Sequence, residues 1–444
     1  MCKEDFSFVS TYNVESTEES IKLFDECYVD NVVSMNIDNK RVDPGCNYTF
    51  NEIGEHTVYV TLNTTNLTSL YLFNQTLNLT SVYFSKEFNT EKITSMSSLF
   101  NGCYNLVSID ISNFNFEKVE NTSKMFSDCE SLKSLSFPNS KTNSLIDMGE
   151  MFYNCPNLKT IDFTIFNTEK VTNMNLFLCG CSSLKSIDIS HFDTRNVVDM
   201  SGMFINCISL ESLDLSNFNT ENVKIMTGMF TLCESLSSLD LSNFKTTKVT
   251  DMSRLFLNCG KLTYLNISNF DTSKVTMMSF MFSDCSSLTS IDISSFDTSN
   301  VVDMNNMFNG CHSLKELNIT HFNTEKVEDI NGIFSNCDSL ERLNFSNFNT
   351  DNVYSIDKMF YNSYSLTSID LSHFNTQKVI SMDGVFVDCA NLSYIDISSF
   401  NENTEYNYLI SGVAKNGTII LKNEDIAKKL AIPENWTVIY KDQK

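Results

Sequence analysis

The chain has 444 residues, 42% of them hydrophobic, with a formal net charge of −24, 13 Gly and only 4 Pro. So little Gly and Pro excludes a collagen-like or flexible low-complexity chain. The acidic balance excludes duplex nucleic acid as a partner, because no basic patch is present to meet phosphates. No run approaches the roughly 20 apolar residues of a membrane span, so no membrane insertion by this chain is expected.

In chain order, the opening "MCKEDFSFVSTYNVESTEES" has no apolar core of the kind a signal peptide needs. The expectation is either an intracellular protein or a chain whose export and anchoring parts lie outside this sequence. Residues 1–62 show no repeat. Their alternation, a Pro44-Gly45 turn and the run "HTVYVTL" predict a small β-rich N-terminal domain, sandwich-like, that covers the first coil. Residues 63–88 carry degenerate strand patterns, Leu67/Leu70/Leu72 and Leu79/Val82/Phe84, and read as atypical opening coils.

From 89 to 400 one sentence repeats. Cys103, Cys129, Cys155, Cys181, Cys207, Cys233, Cys259, Cys285, Cys311 and Cys337 fall 26 apart, Ser363 takes the next slot and Cys389 the last, with no insertion or deletion. A period of this size marks a solenoid. In the copy "SSLTSIDISSFDTSNVVDMNNMFNGC", Leu288, Ile291 and Ile293 form a short strand, with Ser290, Asp292 and Ser294 toward solvent. Phe296 anchors the turn inward, and Asp297 and Thr298 can bond nearby backbone groups. Val301, Met304, Met307, Phe308 and Cys311, spaced by three and four, predict a short helix. The fold class is an α/β solenoid: a leucine-rich-repeat-like, right-handed stack of about 12 coils, each a short parallel strand, a turn and a short helix. Residues 401–444, with "GTIILKNEDIAKKLAIPENWTVIYK", predict strand, helix and strand, an αβ cap over the last coil in which Trp436 packs.

The motif C-x-x-L-x-x-I-D-I-S-x-F-D-T-x-x-V-x-x-M-x-x-M-F-x-x-C resembles the BspA-like leucine-rich repeat proteins, and more narrowly the 25–26-residue repeat of mycoplasma-type surface lipoproteins. The closing "GTI…IPENWTVI" is similar to an end segment of that family. The resemblance covers about residues 63 to 440. It implies a cell-surface or extracellular protein that adheres to host proteins or to neighbouring cells, and it carries over no catalytic residue. The chain shows no signal peptide, lipobox or anchor of its own.

Two columns invite chemistry. The cysteine column reads as buried thiols filling space, with some bridging as the competing reading. A ladder of free thiols would suit a reducing or low-oxygen setting. Cys27 and Cys46 could pair in the N-terminal domain, and the lone C-x-C of Cys179 and Cys181 is too weak for a metal site. The middle strand position reads Asp110, Ser136, Asp162, Asp188, Asp214, Asp240, Asn266, Asp292, Asn318, Asn344, Asp370, Asp396. Carboxylates about 5 Å apart along a sheet face repel, which predicts raised pKa values. They are either solvated and bonded to flanking hydroxyls, as Ser186 and Ser190 beside Asp188, or they bind cations, since oxygen-rich sites suit Ca²⁺. No spacing matches a calcium loop, so no metal and no cofactor are assigned. His191, His321 and His373 share one slot and read as surface turn residues. Asn-x-Ser/Thr sequons, such as Asn47, Asn63, Asn121 and Asn435, are no more frequent than the Asn, Ser and Thr content predicts. No Ser-His-Asp order, phosphate-cradling loop or HExxH motif occurs.

The expected function is non-catalytic: a protein-binding module that uses its strand face. The candidate contact residues are Asp188, Asp214, Asp240, Tyr264, Asn266, Asp292, Glu316, Asn318, Arg342, Asn344, Asp370 and Tyr394. Tyr264, Glu316, Arg342 and Tyr394 break the Ser-rich pattern and place the expected contact in the later coils. The expected partner is a host or neighbouring-cell surface or matrix protein. The competing reading is a structural or surface-coat element whose partner is another copy of itself. An enzyme is not expected.

Overall fold

The computed structural model describes residues 7–138, 140–401 and 406–441, so Cys2 lies outside the described residues. Two compact units divide the chain, Met1–Asn222 and Val223–Lys444.

The first unit opens with β1 (Phe8–Val14), β2 (Ser20–Lys22), a 3₁₀ turn (Glu26–Asn31), β3 (Val32–Ile37), β4 (Lys40–Val42), β5 (Asn47–Thr49) and β6 (Gly54–Leu62). β1 alternates strictly, burying Phe8, Ser10, Tyr12 and Val14 on one face. Asp38 and Asn39, both at positive φ, make the tight β3–β4 hairpin turn. β7 (Leu79–Phe84) pairs antiparallel with β1 and parallel with β8 (Ser108–Asp110). The resulting sheet, ordered β4-β3-β6-β1-β7-β8, runs without a break from the N-terminal strands into the coil strands. β9 (Ser134–Leu135) and β10 (Thr160–Ile161) continue the coil series.

The second unit contains β11 (Ser238–Asp240) paired with β12 (Tyr264–Asn266), and a parallel sheet of β13 (Ser368–Asp370), β14 (Tyr394–Asp396), β15 (Gly417–Leu421) and β16 (Trp436–Tyr440). Between β15 and β16 lies α1 (Glu424–Lys429), capped by Asn423, whose Oδ1 accepts from the amides of Asp425 and Ile426. Gly417 is required beneath the Trp436 ring, since a Cβ there would stand 2.7 Å from ring atoms. Trp436 Nε1 donates to the Ala414 carbonyl at 2.8 Å.

The helix predicted before each cysteine does not form. α1 is the one α-helix among the described residues, and the "MNNMFNGC" segments are chains of turns. Their hydrogen bonds alternate. The amides of Met96, Ser98, Phe100 and Gly102 donate to the carbonyls of Asn121, Ser123, Met125 and Ser127 in the next coil, whereas Leu99, Asn101 and Cys103 donate three residues back. A helix would keep every such bond within its own coil. The switch is made by two positive-φ residues per coil, five and one before the cysteine slot, such as Asn306 and Gly310 or Lys358 and Asn362. Spacings of three and four still bury Met304, Met307 and Phe308, because this turn chain has nearly the helical side-chain period.

Three further devices fasten coil to coil. First, the buried threonine after the turn Asp or Asn is a two-way clamp. Thr298 Oγ1 donates to the Asn323 carbonyl (2.9 Å) and accepts from the Asn323 amide (2.8 Å), so both backbone groups of that residue are satisfied at once. Thr168, Thr194, Thr272, Thr324 and Thr350 do the same to the residue 25 ahead. Second, phenylalanines stack along the core, with Phe308 lying 5.4 Å from Phe282 and 5.8 Å from Phe334. Where Ser140 fills the slot of the turn phenylalanine, Phe137 supplies the ring instead, 4.9 Å from Phe166. Third, the thiols of the cysteine column are free, and those of Cys103 to Cys207, Cys259 to Cys337 and Cys389 donate to a carbonyl of the preceding coil. Cys311 Sγ meets Phe282 O at 3.2 Å, and Ser363 makes the same bond to Phe334 O at 2.8 Å. Burial pushes the column up, Cys155 and Cys311 to about 12, so these thiols are inert. Cys27 and Cys46 are unbridged as well.

Candidate functional site

The solvent-facing side of the strands is defined by two residues per coil. The first is Ser or Thr throughout the first unit: Ser108, Ser134, Thr160, Ser186 and Ser212. In the second unit it reads Ser238, Tyr264, Ser290, Glu316, Arg342, Ser368 and Tyr394. The second is the Asp/Asn column. Asp188 and Asp214 belong to the first unit, and the other ten candidate residues belong to the second.

The Asp and Asn residues of the column act as local acceptors. Asp188 Oδ1 accepts from the Ser190 amide (3.1 Å) and hydroxyl (2.7 Å), and Asp214, Asp240, Asp292 and Asp370 accept the amide two residues on at 2.9–3.0 Å. This overturns the pKa expectation. Hydrogen bonds from the serine or threonine two residues ahead hold Asp162, Asp188, Asp214, Asp240 and Asp292 below the ordinary aspartate value. Donated bonds to the charged form outweigh repulsion between neighbours in a fully hydrated column. Among the described residues no group of three His, Cys, Asp or Glu side chains could hold a metal. The histidines of the shared slot bond backwards, His191 Nε2 to Phe163 O at 3.0 Å and His321 Nε2 to Ile293 O at 3.0 Å.

The structure gathers four of the candidates into one recess. Glu316, Asn318, Arg342 and Asn344 line a cavity of about 640 Å³, with Ser290 and Ser368 at its margins and Ile291, Leu317 and Leu343 in its lining. Here the strand ladder opens. Between the paired β11–β12 and β13–β14, residues 290–292, 316–318 and 342–344 form no ladder, and the coils are tied at this edge by long bonds, Lys315 N to Thr289 O (3.3 Å) and Glu341 N to Lys315 O (3.4 Å). Tyr264 and Tyr394 are exposed on the flanking strands, two coils to either side of the Glu316–Arg342 pair. Sequence reasoning found these side chains as departures from Ser and Thr. It did not find the open ladder, for which no residue pattern is visible.

A second ladder of parallel bridges, including Asp251, Met277, Asp303, Asp329 and Ser355, runs elsewhere around the coils. Burial, with Asp303 and Asp357 nearby, raises the pKa of Asp329, although it accepts bonds from the Asn331 amide and the Tyr354 hydroxyl.

A family model described as "Mycoplasma protein of unknown function, DUF285" matches four tandem stretches, residues 45–161, 146–239, 232–343 and 312–415. The chain belongs to this family. No curated protein matched. Solved structures with some likeness include the TLR13–ssRNA13 complex (18% identity, 78% of this chain and 49% of that one, TM-score 0.27). Others are the plant peptide hormone receptor RGFR1 with RGF2 (12%, 76% and 67%, 0.21) and the Drosophila Toll–Spatzle complex (17%, 73% and 51%, 0.24). The matches span about half of the TLR13 and Toll chains. Superpositions this loose carry no argument, and the solenoid reading of this family member rests on its own ladders. No helix among the described residues is long and apolar enough to cross a membrane.

Proposed function

We propose that this chain is the non-catalytic, protein-binding part of a BspA-like leucine-rich repeat protein displayed at a cell surface, where it adheres to a host or neighbouring-cell surface or matrix protein. A repeat stack offers an extended, regular face whose outward residues are free to vary while the interior stays constant. The observation that carries the reading is the concentration of variation. The only non-Ser/Thr residues in the first strand slot between 108 and 394 are Tyr264, Glu316, Arg342 and Tyr394, and they centre on a recess at an open stretch of the ladder, whereas the other open stretch, at Ser186 and Ser212, keeps serine. Tyrosine and arginine are the residue types that dominate binding energy at interfaces.

The test is binding of the intact chain to an immobilised panel of extracellular-matrix and cell-surface proteins. Combined Tyr264→Ala, Arg342→Ala and Tyr394→Ala should weaken the recognised partner at least tenfold. Ser186→Ala with Ser212→Ala should leave binding unchanged. Equal binding by the triple variant would remove the strand face from the function.

A further inference from the structure

The chain has four arginines. Arg195 forks onto Asp193, at 2.6 and 3.0 Å, and Arg254 lies over the Phe280 ring at 5.8 Å. Arg342, in the recess, makes no hydrogen bond or ion pair with the described residues, and neither does Glu316 one coil before it. Opposite charges one coil apart can meet in the slot just before this one, as Lys185 and Glu211 do at 3.4 Å. Glu316 and Arg342 stay apart. Beside them Asn318 and Asn344 spend their Oδ1 atoms on Thr320 and Ser346, leaving both Nδ2 groups as unused donors where most coils carry a carboxylate.

We infer that this recess takes an extended segment of a protein partner in which one acidic and one basic side chain point from the same face. The inference rests on the binding role proposed above. The partner's carboxylate meets Arg342 and the Asn Nδ2 groups, and its cation meets Glu316. A segment of one sign fits less well. A purely basic segment sets a cation against Arg342. A purely acidic one meets Glu316 and the field of a chain carrying −24. Length agrees. Tyr264 and Tyr394 are five coils apart, about 24 Å at strand spacing, which about seven extended residues span. Residues i and i+2 of such a segment share a face about 7 Å apart, close enough for long side chains to reach charges one coil apart.

Fluorescent heptapeptides test this by anisotropy with the full chain at about 0.15 M salt. The probes are STKTETS and STETKTS (mixed), STETETS (acidic), STKTKTS (basic) and STQTQTS (neutral). One mixed peptide should bind roughly tenfold tighter than the neutral one, the combined effect of two exposed ion pairs. Arg342→Glu should shift the preference to the basic peptide and Glu316→Lys to the acidic one. Both positions are on the solvent face, so unchanged thermal melts are expected and accompany the titrations. A mixed peptide binding no better than the neutral one, a basic peptide preferred by the unaltered chain, or absence of either switch would overturn the inference. If all heptapeptides bind alike while the triple variant still loses its protein partner, the binding role stands and this inference falls.

Discussion

Ser186 and Ser212 in the first unit occupy the same slot as Glu316 and Arg342 in the second, and in both places the strand ladder is open. The same interior packing recurs in both units, Phe126 stacking 5.5 Å from Phe100 and Phe152 as Phe308 stacks on its neighbours, although just behind Ser186 Leu178 takes that slot and Phe177 meets Phe152 edge-on at 5.8 Å. The slot on the strand face is therefore under no packing demand, and what stands there is free to serve something outside the chain. The first unit keeps small hydroxyls, and the second replaces them with two tyrosines and an unpaired charge couple.

That contrast can be broken where it claims sameness. Phe126→Ala and Phe308→Ala should each cost about 3–5 kcal/mol, read by denaturant unfolding, and the two costs should match. A large mismatch would show that the interiors differ after all. Next in size, Thr168→Val and Thr298→Val keep the side-chain shape but strand one backbone N–H and one C=O each, for about 1–3 kcal/mol. Thr→Ser at the same positions should recover most of that loss. Cys155→Ser and Cys311→Ser should cost about 1 kcal/mol or less, because Ser363 already bonds the same carbonyl.

The smallest effects concern the surfaces. In NMR titrations Asp188 and Asp214 should show midpoints below 3.8, and Asp329 one above it. The signs are opposite. The first two lend stability above the unfolded pKa, and it is lost as pH falls through their lowered folded values. Asp329 carries a penalty at neutral pH that fades as pH falls through its raised value. Asp329→Asn should therefore not destabilise the protein at pH 7. Finally, Ser186→Glu with Ser212→Arg should change stability by no more than about 0.5 kcal/mol, which thermal melts can check.

Much of this was legible in the residues. Columns of Leu, Phe and Cys 26 apart could only mean coils that complete one another's cores, and Tyr264, Glu316, Arg342 and Tyr394 stood out against serine. The helix was misread because spacings of three and four do not distinguish a helix from a turn chain that alternates its bonding. The clue lay beside the cysteine. The residue before it is Gly, Asn or Asp in nearly every coil, as at Gly102, Asp128, Asn154, Gly310 and Asp388, the types that tolerate positive φ. The residue five before gives no such clue, since Lys124, Leu176 and Phe280 adopt the same conformation. The aspartate pKa values were misjudged because repulsion is visible in a column of letters, whereas the amide two residues on becomes a donor only when the strand ends there.

The threonine clamp implies a rule about how this protein can change size. Thr298 reaches forward by 25 residues, as do its counterparts and the amides of the turn chain. A single inserted residue would put each of these partners out of step simultaneously, with no slack loop to absorb the error. The offset changes where the chain enters and where it leaves the repeat, Phe73 meeting Leu99 after 26 residues and Gly384 meeting Asn407 after 23. Growth and loss in such a molecule are quantised: whole coils can be gained or removed, and fractions of a coil cannot.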